Sequence, residues 1–233
     1  MRYRQGFIGI FVINSQRTMN ELLLIILAYF IGSVPTALII SKVFFNIDIR
    51  DYGSGNMGAT NTFRVLGSKY GTIVMIFDIL KGVAAVALFN VLPQYLNDEW
   101  ARTNLMVGLG LAAVMGHIFP VFANFRGGKG VATLFGMILT VQPVIAISCV
   151  GVFLLVLYLT RYVSLSSILA GIALPICVLW IWNDDVILYR IFAILVSALI
   201  ILTHQKNIVK ILRGSESRVP IFKSRDKRKL RRK

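Results

Sequence analysis

Residues 130–160 read GVATLFGMILTVQPVIAISCVGVFLLVLYLT, a continuous apolar stretch. Because about 20 apolar residues suffice for a helix to cross a bilayer, this stretch is too long for one crossing. Gln142 and Pro143 lie near its middle, and proline resists the continuation of a helix. The stretch is therefore predicted to form a short helix that ends near Val141 and a second helix from Pro143 to Thr160.

The whole chain has the composition of a membrane protein. Hydrophobic residues make up 57% of its 233 residues and charged residues only 15%, whereas roughly a quarter of a soluble domain is charged. A segment that crosses lipid must be a helix or part of a closed barrel, since no water satisfies its backbone. A barrel would alternate apolar and polar residues, and this chain has continuous apolar runs instead. We therefore predict an all-α integral membrane protein.

Five further apolar runs are predicted to cross the membrane, at about residues 21–43, 72–92, 103–119, 165–182 and 186–203. Together with the two helices of residues 130–160 they give seven transmembrane helices. Cys149 and Cys177 lie inside apolar runs and are interpreted as small buried hydrophobes, since no partner for a disulfide or a metal site accompanies them.

The basic residues fix the predicted orientation, because Lys and Arg collect on the cytoplasmic side of short loops. The basic segments are residues 44–71, residues 117–129, the junction near Arg161, and the segment from His204 onward, which holds twelve of the 25 Lys and Arg residues. Seven crossings place all of them on one side, whereas six would put the basic tail opposite the basic first loop. Seven helices with a cytoplasmic-facing active site are therefore expected.

Residues 1–18 disagree with this topology, because they carry arginines on the predicted outer side. No small-residue cleavage site follows their short apolar run, so a signal peptide is not indicated. We hypothesise that Met19 is the natural start, or that residues 1–18 are a non-essential extension. The predicted organisation is an N-terminal extension (1–18), a seven-helix transmembrane domain (19–213) and a basic cytoplasmic tail (214–233). The tail is interpreted as an anchor to anionic lipid, not as a nucleic-acid site.

Residues 48–64, DIRDYGSGNMGATNTFR, form the first candidate site. The glycines permit tight turns and close approach to a ligand, and successive amides in such a loop can bind an anion. Two arginines can grip an oxyanion with forked geometry. A polar connector is the alternative, but the combination favours an anion site. The candidate residues are Arg50, Gly53, Ser54, Gly55, Asn56, Gly58, Thr60, Asn61 and Arg64.

Residues 116–130, GHIFPVFANFRGGKG, form the second candidate site and include His117. The run Gly127-Gly128-Lys129-Gly130 has neither the spacing nor the following Ser or Thr of a P-loop, so it is not a nucleotide triphosphatase signature. A glycine-rich turn that presents a lysine where a helix begins still favours an anion.

Two shorter segments are ambiguous. Ser164 is a candidate helix N-cap, whereas Arg161 just before it is a candidate ligand contact. The spacing of His204 and Asn207 places them on one helical face. They are either interfacial polar residues or a pair that hydrogen-bonds a substrate oxygen.

Asp78 and Lys81 lie one helical turn apart inside a predicted span. An isolated charge there costs about 2.5–3.5 kcal/mol on insertion scales, and pairing reduces that cost. A structural ion pair is predicted, because a proton or ion relay would need acidic residues in other spans.

Several blocks, in order along the chain, carry a family resemblance. They are Gly32-Ser33-Val34-Pro35, residues 48–64 followed by Gly67, residues 116–133, residues 164–167, and His204-x-x-Asn207 leading to Gly214-Ser215-Glu216. From about Met19 to Arg218 the chain resembles the bacterial acyl-phosphate:glycerol-3-phosphate acyltransferase family, known as PlsY.

The resemblance implies a seven-span enzyme of the bacterial cytoplasmic membrane that acts in phospholipid synthesis. Such an enzyme transfers a long-chain acyl group from acyl phosphate to the sn-1 hydroxyl of glycerol 3-phosphate, giving lysophosphatidic acid and inorganic phosphate. The expected partners are these two substrates and membrane lipids. No cofactor, metal, nucleic acid or obligate protein partner is implied.

The resemblance implies a role in substrate binding for each candidate residue. Ser54, Arg64 and Lys129 are expected to grip the glycerol-3-phosphate phosphate with the backbone of Gly127, Gly128 and Gly130. His204 and Asn207 are expected to orient acyl phosphate with the amides of residues 53–58. Further substrate-binding residues are expected to be Arg50, Asn56, Thr60, Asn61, His117, Arg161, Ser164 and Glu216.

No protein base is evident in the sequence. The His-x4-Asp motif of other glycerol-phosphate acyltransferases is missing, since the fifth residue after His117 is Phe122 and that after His204 is Val209. An oxygen of acyl phosphate is therefore expected to accept the hydroxyl proton. The alternative of a transporter for a phosphorylated metabolite predicts internal repeats and polar residues at mid-depth, which the sequence does not show.

Overall fold

The computed structural model describes residues 2–95, 97–182 and 185–219, with side chains from residue 18 onward. Within these residues the chain forms ten α-helices: α1 (Arg2–Ser33), α2 (Thr36–Phe45), α3 (Ala59–Leu66), α4 (Ser68–Ala87), α5 (Glu99–Ile118), α6 (Val131–Val141), α7 (Pro143–Thr160), α8 (Val163–Ile176), α9 (Ile187–Thr203) and α10 (Gln205–Leu212). Short 3-10 turns lie at Ile49–Asp51, Leu88–Val91, Pro93–Tyr95 and Val121–Ala123, and a π-helical turn at Cys177–Ile181 continues α8. The all-α prediction is confirmed.

Five helical segments of the described chain are long and apolar enough to cross a membrane: Thr18–Phe45, Ser68–Val91, Glu99–Ala123, Pro143–Thr160 and Val163–Ile181. A sixth is obtained if α9 and α10 count as one span, although they meet at a 58° bend. The helix α6 is apolar, but with 11 residues it is shorter than each of these segments. Seven crossings therefore require α6 to count as a span, so the seventh stays a prediction.

The break predicted inside residues 130–160 is confirmed. The helix α6 ends at Val141, Gln142 is extended with φ −148°, and Pro143 opens α7. Proline suits the first position of a helix, because its missing N–H would have no intrahelical partner there.

The first predicted span is not one unbroken helix. The helix α1 ends at Ser33, and α2 begins at Thr36 after Pro35. Proline cannot donate the hydrogen bond that would continue α1, and the Thr36 N–H instead donates to the Val34 carbonyl over 3.0 Å. The chain therefore has a break inside the apolar segment Thr18–Phe45.

Glycines bring two pairs of helices into backbone contact. A Cβ on Gly32 of α1 would lie 2.0 Å from the Ala113 carbonyl oxygen of α5, and one on Gly116 would lie 2.2 Å from the Tyr29 oxygen. Because a real side chain would clash there, only glycine permits this approach, as is common where helices meet in lipid.

The second pair is α4 with α6. A Cβ on Gly82 would lie 2.1 Å from the Thr133 oxygen, and one on Gly136 would lie 2.1 Å from the Ile79 oxygen. The helix α4 also packs against α1, α2, α3 and α5, so it is the central element of the bundle.

The inner face of α4 carries the predicted ion pair. Lys81 Nζ lies 2.8 Å from Asp78 Oδ1, and both side chains are buried. Phe77 and Leu80 on the same helix are exposed at the outer surface of the bundle. The predicted ion pair between Asp78 and Lys81 is therefore confirmed.

We predict that Gly82→Ala destabilises the fold by about 1–3 kcal/mol, because the new methyl group must push α4 away from the α6 backbone. Gly151→Ala in α7 is the control, since its Cβ would meet nothing within 4 Å. Removing that helical glycine should stabilise the protein by about 0.5–1 kcal/mol. Unfolding of both purified variants in detergent measures the difference. Equal stabilities would contradict the close packing of α4 on α6.

Candidate active site

Four segments far apart in the sequence meet at one end of the bundle. They are the first loop (residues 46–58, between α2 and α3), the second loop (residues 119–130, between α5 and α6), the junction of α7 and α8 (residues 161–162), and α10 with the strap that follows it (residues 213–219). All four contain residues that the sequence predicts to bind a ligand.

A chain of hydrogen bonds joins two of these segments to each other and to α8. Lys129 Nζ of the second loop donates to Asn207 Oδ1 of α10 over 2.5 Å. Asn207 Nδ2 in turn donates to Glu216 Oε1 of the strap over 2.9 Å. Ser164 Oγ of α8 donates to the same carboxylate oxygen over 3.0 Å. Ser164 therefore does not cap α8, and its hydroxyl ties α8 to the strap instead.

The strap is folded back onto the junction of α7 and α8. Gly214 turns the chain with φ +67°, and the Val219 N–H donates to the Arg161 carbonyl over 2.9 Å. Arg218 Nε donates to the Tyr162 hydroxyl over 3.0 Å, and its guanidinium lies over the same ring. These contacts hold Glu216 where it can accept from both Asn207 and Ser164.

Lys129 is half-buried and lies among other charges. Burial lowers the pKa of Lys129 from 10.5 to about 8, the carboxylate of Glu216 opposes this shift, and the charges of Lys210 and Arg64 add to it. Lys129 therefore lies close enough to two other cations, Lys210 and Arg64, to be affected by their charge. An oxyanion placed there would favour the protonated form of Lys129.

Lys210 was not singled out by the sequence reasoning. It lies three residues after Asn207 in α10, so both occupy neighbouring positions on one side of that helix. The spacing was available in the sequence, but only the fold shows that α10 turns towards the second loop.

His204 lies at the bend between α9 and α10 and is buried. Its Nδ1 lies 2.8 Å from the Ile200 carbonyl oxygen, and since a carbonyl only accepts, Nδ1 carries the hydrogen. A neutral ring then presents Nε2 as an acceptor. His204 lies where α10 begins, and its carbonyl accepts from the Asn207 N–H over 2.8 Å, so the shared face of His204 and Asn207 stays a prediction.

Asn61 holds the first loop in shape. Its Oδ1 accepts from the Ser54 N–H over 2.8 Å, and its Nδ2 donates to the carbonyls of Tyr52 and Ile49 over 3.0 and 3.3 Å. Gly53 passes close by with φ +62°, and a Cβ there would lie 2.3 Å from Asn61 Oδ1. Asn61 is only 1% exposed. Its side chain therefore braces the loop and is not presented to a ligand.

The side chain of Asn56 also forms a hydrogen bond within the first loop, since its Oδ1 accepts from the Gly58 N–H over 2.9 Å. Gly55, at φ +71°, lets the chain reverse between these contacts. Ser54, Thr60 and Arg64 remain exposed. Of the polar side chains predicted in residues 48–64 to bind a ligand, these three are the exposed ones.

Arg50 joins the two loops. Its guanidinium forms two hydrogen bonds with the Asp48 carboxylate, of 2.9 and 2.6 Å, and donates from a third nitrogen to the Ala123 carbonyl over 3.2 Å. The hydrogen bond from Arg50 lowers the pKa of Asp48 from 3.8 to about 2. The forked grip expected for a ligand oxyanion is thus made to Asp48.

The glycines of the second loop are needed for close packing. The N–H groups of Gly127 and Gly128 donate to the carbonyls of Ile118 and His117, each over 3.1 Å. These two amides therefore donate to the end of α5, whereas the sequence analysis expected them to face a ligand. Gly130, at φ +80°, ends the loop and opens α6.

His117 lies beneath the second loop and is 6% exposed. Its Nδ1 lies 3.7 Å from Asp78 Oδ1, and a Cβ on Gly128 would lie 2.0 Å from its Nε2. The ring is therefore buried beneath Gly128 and beside Asp78, and its role as a ligand contact stays a prediction. Within the described residues, no group of three or more His, Cys, Asp or Glu side chains is placed to hold a metal.

Residues 22–214 match the family model described as glycerol-3-phosphate acyltransferase. Glycerol-3-phosphate acyltransferase 2 of Bacillus anthracis is 50% identical over 199 residues, which cover 85% of this chain and 99% of that protein. The glycerol-3-phosphate acyltransferase of Macrococcus caseolyticus (strain JCSC5402) is 44% identical over 205 residues, covering 88% of this chain and 100% of the relative.

Two crystal structures of PlsY, an integral membrane glycerol 3-phosphate acyltransferase, are similar to this fold. The glycerol 3-phosphate form has a TM-score of 0.76 at 39% identity, covering 86% of this chain and 96% of that one. The lysophosphatidic acid form has a TM-score of 0.72 at 38% identity, with coverages of 85% and 95%.

We predict that Glu216→Gln lowers the pKa of Lys129 below about 8. Gln keeps an oxygen that accepts from Asn207 but removes the negative charge that favours protonated Lys129. The pH dependence with which the Lys129 amine reacts with an acylating reagent, followed by mass spectrometry, gives this pKa. The control is Glu99→Gln. Glu99 is the first residue of α5, whereas the second loop follows the last residue of that helix, so this change should leave the pKa of Lys129 unchanged. An unchanged midpoint in Glu216→Gln would contradict the electrostatic coupling.

Proposed function

This chain belongs to the glycerol-3-phosphate acyltransferase family, and from that premise we propose that it transfers a long-chain acyl group from acyl phosphate to the sn-1 hydroxyl of glycerol 3-phosphate. The products are lysophosphatidic acid and inorganic phosphate. The observation that carries the proposal is the convergence on Lys129 of groups suited to a phosphate, with Asn207 in contact and Arg64 and Lys210 close enough to shift its pKa.

The proposed topology has seven crossings. Five are the long apolar segments, the sixth is the bent pair α9 and α10, and the seventh is the short helix α6. The basic loops and the basic segment after α9 then lie on one side, which the bias of Lys and Arg makes the cytoplasmic side. The site would accordingly face the cytoplasm from the bacterial inner membrane. In the sequence, the proposed seven-helix domain (19–213) follows an N-terminal extension (1–18) and precedes the basic tail (214–233), which supplies Glu216 to the site.

Glycerol 3-phosphate is proposed to bind through its phosphate to Lys129, Arg64 and Ser54. Arg64 and Ser54 are exposed and Lys129 is half-buried, and charge-assisted hydrogen bonds from such cations to phosphate are strong. Phosphate binding would also relieve the mutual repulsion of Lys129 and Arg64. The bound phosphate would then replace Asn207 or share Lys129 with it.

His204 is proposed to orient the attacking hydroxyl. Because its Nδ1 donates to the Ile200 carbonyl, a neutral ring offers only an acceptor at Nε2. An acceptor suits the hydroxyl of glycerol 3-phosphate, and it does not suit the oxygens of an anionic acyl phosphate. This assigns His204 to the acyl acceptor, whereas the sequence analysis assigned it to the donor.

The chemical step forms a bond from the sn-1 oxygen to the acyl carbonyl carbon and breaks the bond from that carbon to the phosphate oxygen. The hydroxyl proton is hydrogen-bonded to His204 Nε2 before the attack and passes to the departing phosphate as the new bond forms, so the atoms balance and no protein group keeps the proton. Holding the two reactants together and neutralising their phosphates would supply most of the rate. The acyl chain is proposed to lie against apolar helix surfaces that open to lipid.

We expect the purified chain, reconstituted in lipid with labelled glycerol 3-phosphate, to form lysophosphatidic acid from acyl phosphate and not from acyl-CoA. The reason is that the proposed step needs a phosphate leaving group that accepts the proton. Chromatography of the labelled product measures this. Product from acyl-CoA alone would contradict the proposed donor. The absence of product from either donor, with intact protein, would contradict the proposed function.

Lys129→Ala should lower kcat/KM at least about 100-fold, because it removes a preorganised cation from the reacting phosphates. The measurement is the same assay, with circular dichroism to verify the helical fold. Lys69→Ala is the matched control, since Lys69 is an exposed lysine on the first turn of α4. Near-normal activity of folded Lys129→Ala would refute the proposed site.

A further inference from the structure

A small cavity lies beneath both loops of the proposed active site. It is lined by the α1–α2 break at Val34, Pro35 and Thr36, by Met57 of the first loop, by Gly128 of the second loop, and by Asp78, Lys81 and His117. Charged side chains are rare in membrane-spanning helices, and they usually mark a functional arrangement. The mechanism proposed above uses none of the last three residues.

The ion pair of α4 closes the break between α1 and α2. Lys81 Nζ donates to the Val34 carbonyl over 3.2 Å, and the Thr36 hydroxyl donates to Asp78 Oδ1 over 3.3 Å. The two charged side chains are 7% and 2% exposed. The pair therefore satisfies both polar groups at the break and fixes where α2, and hence the first loop, begins.

His117 links the same pair to the second loop. Its Nδ1 faces Asp78 Oδ1 at 3.7 Å and has no hydrogen-bond partner among the described residues. Its ring lies under Gly128, whose N–H donates to the His117 carbonyl. Lys129 is the next residue. A displacement of His117 would therefore move the lysine proposed to hold phosphate.

We propose that Asp78, Lys81 and His117 are positioning residues that hold both loops in register, so that Lys129 meets the phosphate of glycerol 3-phosphate. This inference rests on the proposed function. An ion pair that served only membrane insertion would not need a histidine with an unpaired nitrogen beside it. It would also not need to border both loops at once.

A double variant separates a role in positioning the two loops from a role in membrane insertion alone. Removing one partner of a buried ion pair leaves an unpaired charge and destabilises strongly, whereas replacing both is often neutral for stability. Asp78→Asn combined with Lys81→Met should therefore remain folded. We expect its KM for glycerol 3-phosphate to rise and its kcat/KM to fall roughly tenfold to 100-fold, as for a displaced binding group. The KM for acyl phosphate should not change.

Phe77→Leu is the control, because Phe77 precedes Asp78 on α4 but lies on the outer surface. A readout independent of turnover is the pKa of the Lys129 amine, from its reactivity against pH. A Lys129 displaced towards solvent should titrate closer to 10.5 than to about 8. His117→Ala removes the ring that lies under Gly128 and leaves the ion pair intact, and it should show the same two changes.

The outcomes are distinguishable. A folded double variant with wild-type KM and wild-type Lys129 pKa would overturn the inference and leave the pair a role in insertion only. If the double variant does not fold, His117→Ala decides in the same way. A wild-type protein without acyltransferase activity would refute the proposed function, and the Lys129 pKa in the variants would still decide whether these residues position the loop.

Discussion

A bilayer interior offers no water to hydrogen-bond a free carbonyl or N–H group, so each interruption of a helix there needs an internal partner. The break at Pro35 creates such a need, and α4 meets it with the ion pair of Asp78 and Lys81. The helix can supply these partners because it lies in the middle of the bundle, against α1, α2, α3, α5 and α6. Glycines at its crossing with α6 bring the two backbones into contact. The start of both loops depends on this arrangement.

The site above this core uses many of its polar groups to hold its own shape. Asn61 braces the first loop, Arg50 joins that loop to the second through Asp48 and the Ala123 carbonyl, and Glu216 fixes Asn207 and Ser164. Rigid support of this kind limits the freedom that binding would otherwise have to remove. The cations that face the ligand region can then be few, since a preorganised cation in a partly buried site acts more strongly than one in water.

The polar segments that the sequence singled out meet at one end of the bundle, but several side chains expected to bind a ligand contact their own loops instead. Arg50 and Asn61 have the chemistry of anion ligands, and only their partners show that this chemistry is used inside the loop. The amides of Gly127 and Gly128 were expected to face a ligand, yet the end of α5 takes both hydrogen bonds. Lys210 was overlooked because it is one of many basic residues near the chain end, and nothing local separates it from them.

Local chemistry determined five long apolar segments, the break at Pro143, the pairing of Asp78 with Lys81 and the residue types able to bind phosphate. Helix formation in lipid depends on the length of apolar runs and on proline, and both can be read along the chain. The tertiary structure decided which polar groups meet. Lys129 and Asn207 are 78 residues apart in the sequence, and their contact depends on how α6 and α10 are placed by packing. Whether a polar side chain binds a ligand or a neighbour is therefore a property of the fold.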